Sequence, residues 1–388
     1  MKILYCAIDQ TVPGSVGGSV HVTAVAEGLA ALGHDVHVLV SPGDGPFPQG
    51  PVHWTAMTPP LGKKELRWAR RSSVRKVAKA VAPDVIVERY YNFGGEGLAA
   101  AAVTGALSVL EVNAPVVDYP GSPKATLDRA LIVEPMRRWR DRLCANADLI
   151  VTPAASILPP GTPADKIVEL EWGADTDRFT PGAKGPVPFE RPPGTLTLFA
   201  GAFRSWHGAI DLVRAMRLLA DRKITGFSAV LIGDGPEKPR VESEANGLDR
   251  VLFTGAVPHD RMPACLASAD IGVAPFDVSA HKPLTLGFYW SPLKIFEYMS
   301  AGLPVVAPAG GRMSHLVEHE REGLLYDPPS PAALADALAR LADPEQRRAL
   351  GRAARERAVR EYSWNAHCQA LEAAIVRKLI SRAVVRGS

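Results

Sequence analysis

A lysine near the start of a predicted helix, Lys294, is the residue that points most clearly to chemistry. In the stretch SPLKIFEY, Ser291 is a preferred N-cap and Pro292 suits the first helical position, so a helix is predicted to begin there. Lys294 then lies in the first turn, where the helix dipole favours anions over cations. A phosphate held by Lys294 and the free N–H groups of this turn would explain the lysine. The alternative is a simple surface ion pair with Glu297, which lies three residues further along the same face.

A second candidate is the turn in AGAFRSWHG, residues 200–208. Arg204, Trp206 and His207 follow a predicted strand and precede a predicted helix. Cation-rich turns at the carboxyl end of a parallel strand commonly meet anionic ligands. The alternative is that Arg204 stacks on Trp206 and does nothing further.

Two glycine-rich turns also join a strand to a helix. GSVGGS (14–19) offers backbone N–H groups to a phosphate or sugar, but it equally fits a plain tight turn. It does not match GxGxxG, and Asp44 is poorly placed to bind a ribose, which weakens a dehydrogenase interpretation. In LIGDGP (231–236), Asp234 and Gly235 are candidates to lie against a nucleotide.

The sequence predicts neither a metal nor any other cofactor. His315 and His319 have the i, i+4 spacing of helical metal ligands, but no third ligand is near, so they are interpreted as a solvated helix face. The four cysteines are far apart and form no CxxC pair, which indicates free thiols and a reducing cytoplasm.

Alternating strands and helices must position these turns. Apolar runs such as KILYCAI and HDVHVLV alternate with helical stretches, and a second series starts at TLTLFAG. This alternation predicts two doubly wound, parallel-sheet α/β domains, which bind ligands at the carboxyl ends of their strands. Domains are predicted at 1–180 and 195–360, with a linker at 181–194 and a final helix at 361–388. The cleft between the domains is the expected site.

Charge and hydropathy limit the partners. The 388 residues carry a net charge of +3, too small to indicate nucleic-acid binding, and no apolar run is long enough to span a membrane. Basic residues concentrate in 63–79 and 137–142, each with a tryptophan among them. Such runs suit peripheral contact with an anionic membrane, although solvated helix faces are the more common explanation.

Taken together, these blocks resemble the retaining glycosyltransferases of family 4, which have the GT-B fold of two Rossmann-like domains facing a central cleft. The likeness runs in order from GGSVHVTAVAEGLAALGHDVHVL through WGADTDRF, LIGDGP and VLFTGAVPHDRMPACLASADIGVAPF to KIFEYMSAGLPVVAPAGG and EGLLYDP. It implies an acceptor-binding first domain, a donor-binding second domain and a last helix that crosses back to the first. The implied reaction transfers a sugar from a nucleoside-diphosphate sugar to the hydroxyl of a glycan, a lipid-linked sugar or a small natural product.

The resemblance also implies roles for individual residues. Lys294 and Arg204 would stabilise the departing diphosphate, and Glu297 would bind the ribose of the donor. The other donor-binding residues would be Gly17, Gly18, Gly201, His207, Gly233, Asp234, Gly235, Val257, Ser291 and Leu293. The loop DYPGSPK is predicted to contact the acceptor through Asp118, Tyr119 and Lys124.

The sequence departs from the family pattern in the second domain. Tyr289 stands eight residues before Glu297, where the family has its first glutamate. The arginine and lysine of the family's phosphate turn correspond to Ala202 and His207. Arg204 and Lys294 are therefore expected to replace them.

A further departure lies in the first domain. The family's acceptor-domain histidine corresponds to Asn113, and Glu111 lies two residues earlier on the same strand face. Both are candidate catalytic residues. Glu111 would either orient an acceptor hydroxyl near the transferred sugar or make a structural hydrogen bond.

Two other functions stay open. A GT-B-shaped sugar-nucleotide epimerase would interconvert its substrate without an acceptor. A non-catalytic nucleotide-sugar-binding protein would fit the missing glutamate and histidine.

Overall fold

The computed structural model describes residues 1–14, 16–327 and 330–387 and divides into two compact units. The first unit comprises Met1–Trp172, Tyr289–Ser291 and the described part of Trp364–Ser388, and the second comprises Gly173–Phe288 and Pro292–Ser363. Ser15 of the first glycine-rich turn and Pro328 of EGLLYDP lie outside the described residues.

The first unit contains a seven-stranded parallel sheet in the order β3-β2-β1-β4-β5-β6-β7. Its strands are β1 (Lys2–Val12), β2 (Asp35–Pro42), β3 (His53–Ala56), β4 (Val85–Arg89), β5 (Leu107–Glu111), β6 (Leu149–Thr152) and β7 (Ile167–Glu169). The central strands are apolar and buried because helices cover both faces of the sheet.

The second unit contains a six-stranded parallel sheet in the order β10-β9-β8-β11-β12-β13. Its strands are β8 (Thr195–Ala200), β9 (Phe227–Ile232), β10 (Val251–Gly255), β11 (Ile271–Val273), β12 (Val305–Pro308) and β13 (Gly323–Tyr326). Between β7 and β8, the described chain contains no helix or strand, in keeping with its prolines and glycines.

Helices follow most of the strands. They are α1 (Gly17–Ala31), α2 (Arg71–Val81), α3 (Glu96–Thr104), α4 (Pro123–Ala130), α5 (Pro135–Asn146), α6 (Ala209–Asp221), α7 (Lys238–Glu244), α8 (Met262–Ala267), α9 (Leu293–Ser300), α10 (Met313–Leu316), α11 (Pro331–Arg340), α12 (Pro344–Glu361) and α13 (Trp364–Gly387). In the first unit, α1 and α13 share one apolar core, and α2 and α3 pack on the opposite sheet face. Among the described residues, no helix combines the length and the apolarity needed to cross a bilayer.

Each sheet has one point where the strand order reverses. In the first unit this point lies between β1 and β4, and in the second between β8 and β11. The loops after these neighbouring strands leave in opposite directions, which opens a crevice at their carboxyl ends. Both units therefore satisfy the geometric condition for a ligand site.

Two local predictions are wrong. Helix α9 begins at Leu293 with Pro292 at the N-cap position, because the Ser291 hydroxyl accepts from the Trp172 N–H (3.0 Å) and donates to Glu171 (2.7 Å). Helix α10 ends at Leu316, so His319 lies beyond it and its Nδ1 accepts from the Leu325 N–H (2.9 Å). The two histidines do not share a helix face.

Candidate functional site

The ammonium of Lys294 lies at the reversal point of the second sheet. Its Nζ is 4.3 Å from the ring centroid of Phe199 near the end of β8 and 5.0 Å from that of Phe276, which follows β11. This nitrogen is buried and has no hydrogen-bond partner among the described residues. The two aromatic faces offset part of the cost of desolvating the cation, but they accept no conventional hydrogen bond.

Burial shapes the protonation of Lys294. It lowers the pKa of the ammonium to about 7, while the negative charge of Glu297 acts in the opposite direction. An anion placed against Nζ would favour the charged form and raise this pKa. The position therefore holds a lysine whose Nζ has no hydrogen-bond partner among the described residues.

Gly201, at the end of β8, makes room for this ammonium. It has φ 150°, and a Cβ added there would lie 2.6 Å from Nζ and 3.1 Å from Cε of Lys294. Any larger residue would displace the lysine side chain. The requirement for glycine here is therefore tied directly to the position of the cation.

The turn after β8 brings the other predicted cations to the same region. His207 Nδ1 lies 2.6 Å from the Ala202 carbonyl oxygen, so this nitrogen carries the proton and donates. Burial, followed by the charge of Lys294, lowers the pKa of His207 to about 3, so the ring is neutral. The exposed Arg204 guanidinium lies 5.4 Å over the Trp206 ring, which confirms the stacking contact considered from the sequence.

Glycines at the end of β9 let neighbouring loops approach. A side chain on Gly233 would overlap the carbonyl of Gly201, and one on Gly235 would meet the backbone of Phe203. The Phe203 N–H donates to the Asp234 carbonyl oxygen (2.8 Å), and the Gly235 N–H to the Asp234 carboxylate (2.7 Å). These glycines thus have a packing role, and the Asp234 side chain stays exposed.

Glu297 has a partner that the sequence interpretation did not single out. Its Oε1 lies 3.0 Å from Nε2 of His259, and this hydrogen bond raises the pKa of His259. His259 directly follows the GAVP turn, which contains the half-buried Val257. Leu293, at the start of α9, is also half-buried. The sequence shows the GAVPHD segment, but it does not show that His259 in this segment pairs with Glu297, which lies 38 positions later.

In the first unit, Glu111 ends β5 within a dense polar cluster. It accepts from the Tyr5 hydroxyl, from the Asn113 amide and from Arg89 (3.0 Å), and His21 Nδ1 lies 3.3 Å away. Burial raises the pKa of Glu111, against the opposing effect of Arg89. This number of internal partners favours the structural hydrogen-bonding role of the two that the sequence left open.

Aromatic rings complete this cluster. The His21 ring lies 4.4 Å from that of Trp172, and Trp172 Nε1 donates to the Asn113 side chain (2.9 Å). Burial, followed by the charge of Arg89, lowers the pKa of His21, and its Nε2 has no partner among the described residues. Tyr289, at the position of the missing glutamate, is buried in the first unit.

The first glycine-rich turn opens α1 beside the reversal point of this sheet. Gly17 is the first residue of α1, and a side chain on Gly18 would overlap Gln10 and approach Arg89. Arg89 ends β4, so this turn lies close to the cluster around Glu111.

The predicted acceptor loop is partly occupied by internal contacts. Asp118 accepts from both terminal nitrogens of Arg140, at 3.0 and 3.2 Å. Lys124 donates to the Asn92 side chain (2.8 Å), and burial lowers its pKa to about 8. Tyr119 is half-buried. Asp118 therefore anchors α5, and Tyr119 and Lys124 retain surface for a ligand.

One arginine of each basic run is buried. Arg67 is fully buried and pairs with Asp9, Glu88 and Glu96. Burial, together with the charge of Glu96, raises the pKa of Glu88 to about 7. Arg140 is likewise buried against Asp118 and Asp128. Neither explanation considered from the sequence, membrane contact or a solvated helix face, applies to these two residues.

Two solved structures share the fold of this chain. Sucrose-phosphate synthase from Thermosynechococcus elongatus aligns with a TM-score of 0.71 and 21% identity over 100% of both chains. HepE from Anabaena, solved in complex with UDP, aligns with a TM-score of 0.70 and 18% identity over 97% of this chain and 100% of that one. These likenesses confirm the predicted fold class of two Rossmann-like domains.

The family follows from the sequence matches. Residues 194–343 match the model for Glycosyl transferases group 1, and residues 16–159 match Glycosyltransferase Family 4. The chain belongs to this family of glycosyltransferases. The GDP-mannose-dependent alpha-(1-6)-phosphatidylinositol monomannoside mannosyltransferase of Mycobacterium tuberculosis is 30% identical over 52% of this chain and 54% of that protein. The chain thus spans about half the length of curated relatives such as this one.

Proposed function

We propose that the protein transfers a sugar, with retention of anomeric configuration, from a nucleoside-diphosphate sugar to an acceptor hydroxyl. The observation that carries this proposal is the buried ammonium of Lys294, which has no hydrogen-bond partner among the described residues. A diphosphate supplies the missing charge and the missing hydrogen-bond acceptors in one group.

The donor is proposed to bind along the reversal point of the second sheet. Its diphosphate lies against Lys294 and the free N–H groups at the start of α9, with the exposed edge of Arg204 as a further donor. Glu297, three residues after Lys294, binds the ribose hydroxyls, and its hydrogen bond to His259 orients the carboxylate. The GAVP turn faces the base.

The chemistry follows from this arrangement. The bond between the anomeric carbon and the diphosphate oxygen breaks, and a bond to the acceptor oxygen forms on the same face of the sugar while the hydroxyl releases its proton to water. Negative charge then develops on the departing diphosphate. A fixed cation that gains its counter-charge only there stabilises the transition state, and loss of one such group commonly costs about 10²–10³ in turnover.

Substitution of Lys294 tests the proposal. With UDP-, GDP- and TDP-sugars and a panel of acceptors, Lys294→Met should lower turnover about 10²–10³-fold. Lys184→Met, which changes an exposed lysine of the second unit, serves as the matched control and should retain the rate. A near-normal rate in Lys294→Met would contradict the assigned role.

Product analysis by NMR separates the three functions. Transfer to an acceptor with the anomeric configuration of the donor supports the retaining transferase. An altered nucleotide-sugar formed without acceptor would support the epimerase, and binding without turnover across the panel would support the non-catalytic protein.

The first unit is proposed to bind the acceptor and to contact anionic lipid. The relative from Mycobacterium tuberculosis is named for a phosphatidylinositol monomannoside substrate. Here, α2 exposes Arg75, Lys76 and Lys79, and the connection between α4 and α5 exposes Leu131, Ile132 and Val133. Cations beside exposed apolar side chains suit the interface of an anionic membrane.

A groove in the same unit supports this proposal. It has a volume of about 600 Å³, between α3 and α5, and small apolar side chains such as Ala99 and Ala102 line it. Arg71, Arg142 and Arg382 also line it, against a single aspartate, Asp148. An amphiphile with an anionic head group complements both the apolar lining and the excess of positive charge.

Vesicle co-sedimentation tests the membrane contact. Vesicles of phosphatidylcholine with phosphatidylglycerol should retain the protein, and those of phosphatidylcholine alone should not. Charge reversal of Arg75, Lys76 and Lys79 should abolish retention, while reversal of the exposed Lys184 and Lys223 of the second unit should not. Equal retention by both vesicle types would contradict the proposal.

A further inference from the structure

Two histidines and an aspartate converge at the amino end of the first sheet. Asp35 and His37 lie on β2, two residues apart, so their side chains leave the same face of the strand. His53 is the first residue of the edge strand β3 and pairs directly with His37 in the parallel register. The three side chains therefore meet on one face of two neighbouring strands.

The donor atoms of these three side chains lie close to one another. Asp35 Oδ1 lies 3.0 Å from His37 Nε2 and 3.4 Å from His53 Nε2, and all three donor atoms lie within 4.8 Å of one another. In a tetrahedral zinc site, bonds of about 2.0 Å separate neighbouring ligand atoms by about 3.3 Å. The two spacings to Asp35 Oδ1, 3.0 and 3.4 Å, are close to that value.

The surroundings suit a metal ion that enters from solvent. The side chains of Asp35 and His53 are 43% and 62% exposed, and that of His37 is 24% exposed. The two imidazole rings stack at 4.6 Å with an interplanar angle of 22°. Lys2 approaches the other carboxylate oxygen, Oδ2, at 4.0 Å and leaves Oδ1 to the histidines.

We propose that Asp35, His37 and His53 bind one Zn²⁺ ion, with water as the fourth ligand. Two imidazole nitrogens and one carboxylate oxygen form a donor set that suits Zn²⁺, whereas Mg²⁺ and Ca²⁺ favour all-oxygen sites. The ion links the edge strand β3 to its neighbour β2 through side chains on one face of the sheet. The site lies at the amino end of the strands, whereas Arg89 and Glu111 lie at the carboxyl ends.

The alternative is a set of ordinary ion pairs that holds no metal. In that arrangement both histidines donate to Asp35 Oδ1, and added Zn²⁺ finds no competitive site. Metal titration distinguishes the two arrangements. Only the zinc site predicts a defined stoichiometry and a loss of binding when any one of the three ligand residues is substituted.

The experiment uses the full chain without a histidine tag, freed of metal by a chelator and titrated with Zn²⁺ in a calorimeter. The expected result is one equivalent bound, with Co²⁺ giving the absorption of a tetrahedral complex. His53→Gln should weaken binding more than the about 10–100-fold typical of an outer-shell change. His319→Gln, in the second unit, alters another exposed histidine and should bind as the unsubstituted protein does.

Two results would overturn the inference: no zinc binding at millimolar concentration, or equal affinity in the unsubstituted protein and in His53→Gln. Because His53 is exposed, its substitution should not prevent folding, and circular dichroism checks this point. Asp35→Asn provides a second variant that should also lose the ion. Glycosyl transfer is measured separately, so failure of one proposal does not imply failure of the other.

Discussion

The buried ammonium of Lys294 predicts a specific pH dependence of donor binding. Its pKa is about 7 in the free protein, and a bound diphosphate raises that value. Binding therefore takes up a proton at any pH where the free lysine is neutral. Affinity should be nearly constant below pH 7 and should fall as pH rises above it.

The magnitude follows from the fraction of free protein that is charged. With a pKa of about 7, half of the lysine is neutral at pH 7 and nearly all of it at pH 8.5. Donor affinity should therefore fall about thirtyfold between pH 6 and pH 8.5. Proton uptake should rise from about half a proton at pH 7 to nearly one at pH 8.5.

Calorimetry in two buffers of different ionisation enthalpy measures affinity and proton uptake together. The nearby His207 does not titrate in this range, because its pKa is about 3. His259 is controlled by His259→Gln, which should keep the slope, while Lys294→Met should remove it. An affinity that is independent of pH, or the same slope in Lys294→Met, would exclude titration of Lys294 as the cause.

Three further predictions concern the same scaffold. Lys294→Met should raise the free energy of unfolding at pH 7 by on the order of 1–3 kcal/mol in thermal denaturation, because it removes an unpaired buried cation. The unsubstituted protein should gain stability from pH 7 to 10, because its unfolded state binds more protons than its folded state in that range. A Lys294→Met variant that is less stable than the unsubstituted protein would contradict this prediction. Gly201→Ala should lower donor affinity about tenfold or more by displacing Nζ, whereas Gly182→Ala, whose added Cβ meets nothing, should bind normally; equal affinities would show that the lysine has another position available. Arg67→Met should cost about 3–5 kcal/mol of stability by leaving buried carboxylates unpaired, and exposed Arg75→Met should cost little; a small loss for Arg67 in chemical denaturation would argue against the buried ion-pair network.

The alternation of strands and helices was sufficient to predict both sheets, because buried parallel strands leave strong apolar runs. Lys294 was singled out from its position in the first turn of a helix, and its role toward a donor stays a prediction. The helix start was misplaced because Ser291 uses its hydroxyl on Glu171 and Trp172, which lie about 120 residues earlier in the chain. A local capping rule does not include such a partner.

The residues that the sequence did not single out make contacts with residues that are distant in the sequence. His37 and His53 are 16 positions apart, and only the register of β2 and β3 brings them together. Arg67 lies among exposed basic residues in the sequence, yet its partners Asp9, Glu88 and Glu96 come from three other segments. The local density of basic residues in the sequence therefore overestimates the extent of the basic surface.

The assignment of Tyr289–Ser291 to the first unit limits how this enzyme family member can be recombined. A chimaera that exchanged 173–363 with a relative would bring in a foreign three-residue segment and separate Ser291 from the Glu171 and Trp172 with which it bonds. Donor specificity should therefore be transplanted with 171–172 and 289–291 exchanged as one set. The hydrogen bonds of Ser291 thus make two segments that are about 120 residues apart a single unit of exchange.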